Sequence, residues 1–120
     1  MDLELAHVRK VFCDGTHRAE VPKETEKVVR PLLESVGVER VQDITRKDRV
    51  GIPCFVAWRR HAPRGSPPFF PGMGRSQLLA RVSAMMAAIE RYFGGYHGEP
   101  MDCASYEEAT VRGAIDPRSL

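Results

Sequence analysis

The chain has 120 residues, with 18 basic and 16 acidic side chains, a net charge of +2 at pH 7 and 42% hydrophobic residues. This length allows one domain at most, and the composition is that of a globular rather than a disordered chain. The near balance of charge gives no reason to expect nucleic acid or an anionic membrane as the main partner.

The cysteine pattern and the hydropathy of the chain indicate the cellular compartment that we expect for the protein. The three cysteines, Cys13, Cys54 and Cys103, are odd in number and include no Cys-x-x-Cys pair. This pattern favours a reducing, cytoplasmic environment over a disulfide framework. The acidic N-terminus is not followed by a long apolar run, so we expect no signal peptide. No stretch approaches the roughly 18 consecutive apolar residues that typify a membrane span.

The first third of the chain predicts a strand over 8–13, a turn over 14–16 and a helix over 22–36. Pro22 suits the first helical position, because its missing N–H would be unpaired there in any case. Valine and leucine recur at helical spacing along this segment, and a glycine follows it as a natural C-cap. Pro31 conflicts with an uninterrupted helix and is expected to bend it or to end it early.

The middle of the chain predicts strands and then a long loop. Three aliphatic residues over 38–44 indicate a short extended segment. The best strand candidate covers 50–58, which is rich in β-branched and aromatic residues. The segment 59–74 contains four prolines and three glycines. We therefore predict a loop there without regular structure of its own, and loops of this length are usually functional or disordered.

The strongest helix prediction covers 76–93, with Ser76 as N-cap, a broad apolar face and two glycines after its end. A short last helix is predicted from Ser105, which forms a capping box with Glu108 and is followed by a break at 116–117. Strands and helices together indicate the α+β class, with strands of one mixed sheet and helices packed on it.

The long helix carries a second stripe besides its apolar face. Its members are Ala80, Ser83, Ala87, Glu90 and Arg91. Positions 83, 87 and 90 lie on one side of a helix, because they are spaced four and three residues apart. A hydroxyl and a carboxylate in such a row can hold a phosphate and a hard metal ion such as Mg²⁺. The alternative, which spacing alone favours, is a small packing serine beside a solvated edge.

Segment 81–92 reads Arg-Val-Ser-Ala-Met-Met-Ala-Ala-Ile-Glu-Arg-Tyr. It resembles the signature helix of the YcaO family, whose motif is Ser-x-x-x-Glu-x-x-Glu. Further blocks agree with that family in the right order: the opening at 15–18 and 22–25, the segment 36–41, and the strand at 48–53, which reads Asp-Arg-Val-Gly-Ile-Pro. The similarity extends over most of the chain, and several ordered blocks together are more specific than any one alone.

The resemblance implies an ATP- and Mg²⁺-dependent enzyme that activates a backbone amide oxygen of a peptide or protein substrate. Attack by a side-chain nucleophile then gives an azoline, and attack by sulfide gives a thioamide. The Gly-Thr-His-Arg opening at 15–18 is most similar to the branch linked to thioamide formation in methyl-coenzyme M reductase.

Residue by residue, the resemblance implies that Ser83 lies near the nucleotide and that Glu90 binds Mg²⁺. Ala87 stands where the family has its first motif glutamate, and a methyl group is not a metal ligand. Before the helix, the family's Gly-Lys-Gly reads Gly72-Met73-Gly74 here. The two glycines either let the backbone approach a nucleotide at the helix N-terminus or form a flexible lead-in only.

The YcaO domain is considerably longer than this chain, and its second acidic motif would lie beyond Leu120. We therefore expect 1–120 to be the N-terminal portion of a YcaO-like domain, incomplete without a C-terminal portion or partner subunit. A homo- or hetero-oligomer follows from exposed sheet edges and apolar faces. A fragment, a split subunit and a decayed copy all remain open, as do an enzyme part and a non-catalytic peptide- or partner-binding subunit.

Two other constellations have simpler explanations. Three pairings of cysteine with histidine lack the tight spacing of known zinc sites: Cys13 with His17, Cys54 with His61, and His97 with Cys103. The basic and aromatic residues over 59–70 mix as in a single-strand nucleic-acid binder, but a solvated loop accounts for them.

Overall fold

The computed structural model describes residues 7–13, 15–47, 49–61, 67–96, 98 and 100–119. The described strands are β1 (Val11–Cys13), β2 (Thr16–Arg18), β3 (Val38–Asp43), β4 (Cys54–Arg59) and β5 (Phe69–Met73). The described α-helices are α1 (Pro22–Val29), α2 (Gln77–Phe93) and α3 (Tyr106–Val111). Short 3₁₀ turns occupy Arg30–Leu32, Thr45–Lys47 and Pro117–Ser119. The α+β class is confirmed.

The described strands form two antiparallel sheets rather than the one sheet that was predicted. β1 and β2 make a hairpin, and the other strands form a sheet in the order β3-β4-β5. Pairing in the hairpin begins only at Val11, so the strand is shorter than the predicted 8–13. Gly15 occupies the predicted turn with φ +82°, a conformation that favours glycine, whereas Thr16 is already the first residue of β2. Asp14, Asp48 and His97 lie outside the described residues.

The predicted loop over 59–74 is wrong, because its second half contains β5. Two hydrogen bonds fix the β4–β5 register: Arg59 N–H donates to the Pro68 carbonyl at 2.8 Å, and Gly74 N–H to the Pro53 carbonyl at 3.2 Å. In this register Pro71 sits where a backbone N–H would point away from β4. The strand therefore tolerates its proline, since no ladder hydrogen bond is lost.

The strand predicted over 50–58 is present but starts later, at Cys54. Gly51 has φ +72°, which is outside the extended region, and Pro53 is the last residue before the strand. The short extended segment over 38–44 is confirmed as β3, with a register shift against β4 between Val38 and Arg40.

Helix α1 ends at Val29 rather than at 36, and Pro31 lies in the 3₁₀ turn that follows. The expectation that this proline ends the helix early is confirmed. Although they lie beyond α1, Leu33 and Val36 are still buried in the core. Val29 is buried with them, whereas Val28 and Leu32 of the same predicted apolar face are 64% and 47% exposed, so that face is confirmed only in part.

Helix α2 matches its prediction closely. The Ser76 hydroxyl accepts a hydrogen bond from Leu79 N–H at 3.3 Å, and Gly94 caps the end. The helix lies across the three-stranded sheet and buries Val82 and Met85 almost completely. The predicted capping box of α3 is also present, with Ser105 and Glu108 each binding the other's backbone N–H. That helix ends at Val111, before the break predicted at 116–117.

The core of the described chain is formed by α1, the turn after it, the sheet and one side of α2. Its buried members are Val29, Leu33, Val36, Val38, Phe55, Ala57, Phe70, Ala80, Ala84, Met85 and Ala88. The three cysteines are free thiols. Among the described residues no helix has the length and apolarity that crossing a membrane requires.

Candidate functional site

The stripe predicted on α2 is not uniform in its exposure. Ala80 is completely buried, Ser83 and Ala87 are half-buried, and Glu90 and Arg91 are exposed. Because α2 follows directly after β5 and runs back along it, the stripe passes from the packed N-terminal half of the helix to an open C-terminal half.

The open half of α2 borders a groove of about 380 Å³. The groove lies between this half and β5, and its lining is Pro67, Phe69, Phe70, Pro71, Ala87, Glu90, Arg91 and Gly94. The structure thus brings Ala87 and Glu90 to one surface. Ser83 does not line the groove; it lies on the same helix one turn before Ala87. Ser83 and Glu90 are seven positions apart, about 10 Å along the helix axis.

The two glycines of the lead-in lie against the packed half of α2. A Cβ built on Gly72 would be 2.1 Å from Ala84 N and 2.6 Å from the Ala80 carbonyl oxygen. A Cβ on Gly74 would be 2.6 Å from Leu79 Cβ. The space beside both glycines is therefore filled by the helix itself. Close packing of strand on helix requires glycine at these positions, independently of any nucleotide.

Met73, which occupies the position of the family's lysine, lies on the other face of the sheet. Neighbouring residues of a strand alternate between faces, and Gly72 faces α2, so Met73 faces away from it. Its side chain is 68% exposed. The lead-in therefore presents an apolar side chain on the face opposite the stripe.

The hairpin lies close to the beginning of α2. A Cβ built on Gly15 would be 2.5 Å from Nη1 of Arg75, the residue before the N-cap Ser76. The guanidinium of Arg75 therefore reaches the first residue of the Gly-Thr-His-Arg block at 15–18.

A half-buried ion pair fixes α2 against α1, and no local pattern in the sequence indicates it. Glu26 accepts hydrogen bonds from Arg81 Nε at 2.7 Å and Nη2 at 3.1 Å, and Arg30 Nη2 binds the same carboxylate at 2.6 Å. Arg81 also stacks over the Phe55 ring, 5.6 Å from its centroid. The Arg81 hydrogen bonds, followed in importance by those of Arg30, lower the pKa of Glu26 from 4.5 to about 2 against an opposing effect of burial.

A complete metal site is not formed by the part of the chain that the structure describes. Those residues include no group of three His, Cys, Asp or Glu side chains suited to a metal ion. Glu90 is one exposed carboxylate in the groove, with a methyl group at position 87 beside it. Magnesium is usually held by one or two carboxylates together with waters and substrate phosphates. The groove fits a partial magnesium site and not a closed protein cage.

The chain is similar to solved structures and to several sequence relatives. The structure of YcaO from Methanopyrus kandleri bound with AMPPCP and Mg²⁺ has a TM-score of 0.59 and 34% identity, covering 74% of this chain and 24% of that one. An uncharacterised protein of Methanothermobacter thermautotrophicus is 38% identical over 99 residues, 82% of this chain and 25% of the relative. An uncharacterised protein of Mycobacterium tuberculosis is 36% identical over 98 residues, 82% of this chain and 21% of the relative. No family model matches.

The matched part of the chain therefore has a YcaO-like α+β fold. The chain spans about a quarter of the length of the proteins that it matches.

Proposed function

We propose that residues 1–120 are the N-terminal portion of a YcaO-type enzyme that uses ATP and Mg²⁺ to activate backbone amides of a peptide substrate for azoline or thioamide formation. The proposal is carried by the open groove of α2, in which Glu90 and position 87 of the YcaO-like motif lie together on an exposed surface. Its support from comparison is the 34% identity to a YcaO whose structure was solved with AMPPCP and Mg²⁺.

In this proposal each residue has a limited role. Glu90 supplies one carboxylate oxygen to Mg²⁺, and Ser83 approaches the nucleotide from the turn before the groove. Bound Mg²⁺ would neutralise phosphate charge on the nucleotide. Gly72 and Gly74 act indirectly, by letting β5 lie directly on α2. The remaining carboxylates come from a C-terminal portion or a partner subunit, in cis or in trans.

Two departures from the family pattern favour a second candidate function. Ala87 offers no ligand beside Glu90, and Met73 carries no positive charge where the family has a lysine. A non-catalytic subunit that keeps the fold and binds a peptide or protein partner has no need of either group. The two candidates differ in whether Mg²⁺ strengthens nucleotide binding once the missing portion is supplied.

The experiment restores the missing carboxylate. The natural chain, Ala87→Glu and Ala87→Gln are each co-expressed with the part of the Methanothermobacter relative that lies outside the matched segment, and Mg²⁺ is titrated against ATP affinity. Two converging carboxylates repel each other without a cation but form a ligand pair with one. We expect Ala87→Glu to strengthen Mg²⁺-dependent ATP binding by about tenfold or more over the natural chain.

Ala87→Gln is the matched control, because it has the size of glutamate without its charge. It should leave the affinity near that of the natural chain. If the two variants bind ATP with the same dependence on Mg²⁺, this face of α2 is not a metal site. The chain is then better explained as a non-catalytic binding subunit. The chain alone is expected to bind Mg-ATP with a Kd of about 1 mM or weaker, because it holds only part of the site.

A further inference from the structure

The two outer edges of the three-stranded sheet differ in chemistry. The β3 edge carries charged residues, with Glu39 paired to Arg60, Asp43 holding Thr45 N–H at 2.9 Å, and a register shift after Val38. Charges and irregularities of this kind block pairing with another strand. The β3 edge is therefore protected against strand addition.

The β5 edge has no charged residue between Phe69 and Met73. Its ladder uses the N–H groups of Phe70, Gly72 and Gly74, as the register with β4 requires, so those of Phe69 and Met73 point outward. Among the described residues, β5 pairs with β4 alone. Pro71, which lies between Phe69 and Met73, has no backbone N–H. The outer edge of β5 therefore offers two N–H donors to an added strand rather than three.

The same edge continues into apolar surface on the face away from α2. Phe69 is 46% exposed and Met73 is 68% exposed. The Phe69 ring lies 5.8 Å from that of Trp58 on β4, so the apolar surface extends inward from the edge. An uncharged edge beside an apolar face is the combination that a covering strand stabilises.

We propose that the outward edge of β5 is the seam where the rest of the YcaO-like domain joins this chain, by adding a strand in cis or in trans. This inference rests on the proposed function. The occupant is the remaining portion because the chain spans only about a quarter of the proteins it matches. A second copy fits less well, since its β5 has no carboxylate to complete the metal site and would set one Pro71 edge against another.

The seam borders the candidate site. Phe69 and Pro71 of the β5 edge line the same groove as Ala87 and Glu90. A strand added at this edge would run along the groove, so its side chains can face the carboxylate of Glu90. Adding a strand at the seam would thus also bring the missing metal ligands close to Glu90.

Hydrogen exchange tests the seam residue by residue. The chain is measured alone and co-purified with the unmatched part of the Methanothermobacter relative. We expect the amides of Phe69 and Met73 to exchange at least about tenfold more slowly in the complex. The outward amides of Val41 and Asp43 on β3 are the internal control and should not change.

A matched pair of variants tests the apolar face. Met73→Asp places a charge beside the seam and should weaken the complex by about tenfold or more. Met101→Asp changes a methionine of similar exposure that lies outside the sheet, and should leave the affinity unaltered.

The inference is overturned by protection at Val41 and Asp43 instead of β5, by equal binding of the Met73 and Met101 variants, or by the absence of a complex. It is also overturned if the chain alone protects Phe69 and Met73 in a dimer. Nucleotide binding in the same complex separates the two proposals. A β5-protected complex without Mg²⁺-dependent ATP binding rejects the proposed function alone, and ATP binding without β5 protection rejects the seam alone.

Discussion

The two halves of α2 are built for different purposes. Its N-terminal half lies directly against the backbone of Gly72 and Gly74, and the Glu26–Arg81 ion pair connects it to α1. Its C-terminal half presents Glu90 and Arg91 to an open groove. The first half is determined by packing at nearly every position, whereas packing does not account for the charged residues of the second. Function is therefore to be sought in the second half, and stability in the first.

The largest effect should come from filling the contact between β5 and α2. Gly72→Ala would place its Cβ against the Ala84 and Ala80 backbone, which is unable to move without displacing the helix. We expect a loss of about 3 kcal/mol or more in the free energy of unfolding, measured by urea denaturation. Gly94→Ala is the control, because its Cβ would meet only the Glu90 carbonyl at 3.2 Å. A Gly72 variant as stable as the Gly94 variant would contradict the close packing.

Two neighbouring methionines of α2 test the difference between packed and open positions within one turn of the helix. Met85 is 1% exposed and Met86 is 41% exposed. Met85→Ala should cost about 2–3 kcal/mol through the lost burial and the cavity left behind. Met86→Ala should cost less than about 1 kcal/mol, because water already reaches that side chain. Thermal unfolding of both variants gives the comparison, and equal losses would mean that the helix is rotated from the orientation described.

The Glu26–Arg81 ion pair between α1 and α2 should stabilise the fold less in acid. The pKa of Glu26 is lowered to about 2, so its contribution is fully present above the unfolded value of about 4.5 and is lost as the pH falls toward 2. Glu26→Gln should cost about 1–2 kcal/mol at pH 7, and this difference from the natural chain should shrink between pH 5 and pH 2.

Glu24→Gln serves as the control for that measurement. Its pair with Lys27 is exposed and 3.8 Å long, so the change should cost less than about 0.5 kcal/mol at any pH. A pH-independent loss at Glu26 would assign its role to packing rather than to charge.

The smallest effect on stability is expected in the open half. Glu90→Gln should alter the free energy of unfolding by less than about 0.5 kcal/mol, because the side chain is exposed. In the protein completed by the relative's unmatched portion, the same change should abolish the Mg²⁺-dependent part of ATP binding. Glu107→Gln on α3 is the control and should alter neither property. A large loss of stability at Glu90 would break the distinction between the two halves of α2.

Local patterns predicted much of the fold. The bounds of α2, its Ser76 cap and the capping box of α3 follow from side chains within a few residues of each other, and all three are confirmed. The error at β5 has the opposite origin. Pro71 and Gly72 read as loop residues in isolation, and they are compatible with a strand only because of the neighbours on each side.

The candidate site likewise has features that local spacing predicted and features that it did not. The spacing of Ala87 and Glu90 placed them on one helix face, and the groove contains both. Ser83 lies outside the groove lining, because the packed half of the helix extends to its turn. The Glu26–Arg81 pair joins residues 55 positions apart, so no local pattern indicates it.

The sequence by itself determined where the long helix lies, which of its faces is apolar and which of its positions depart from the YcaO pattern, since these depend on short-range spacing and residue type. The tertiary structure alone decided that Gly72 and Gly74 serve the contact with α2, that Met73 faces away from the stripe and that, among the described strands, β5 pairs with β4 alone. Those features depend on strand register and on which surfaces meet. Register and contact are set by residues far apart in the chain, and no local periodicity encodes them.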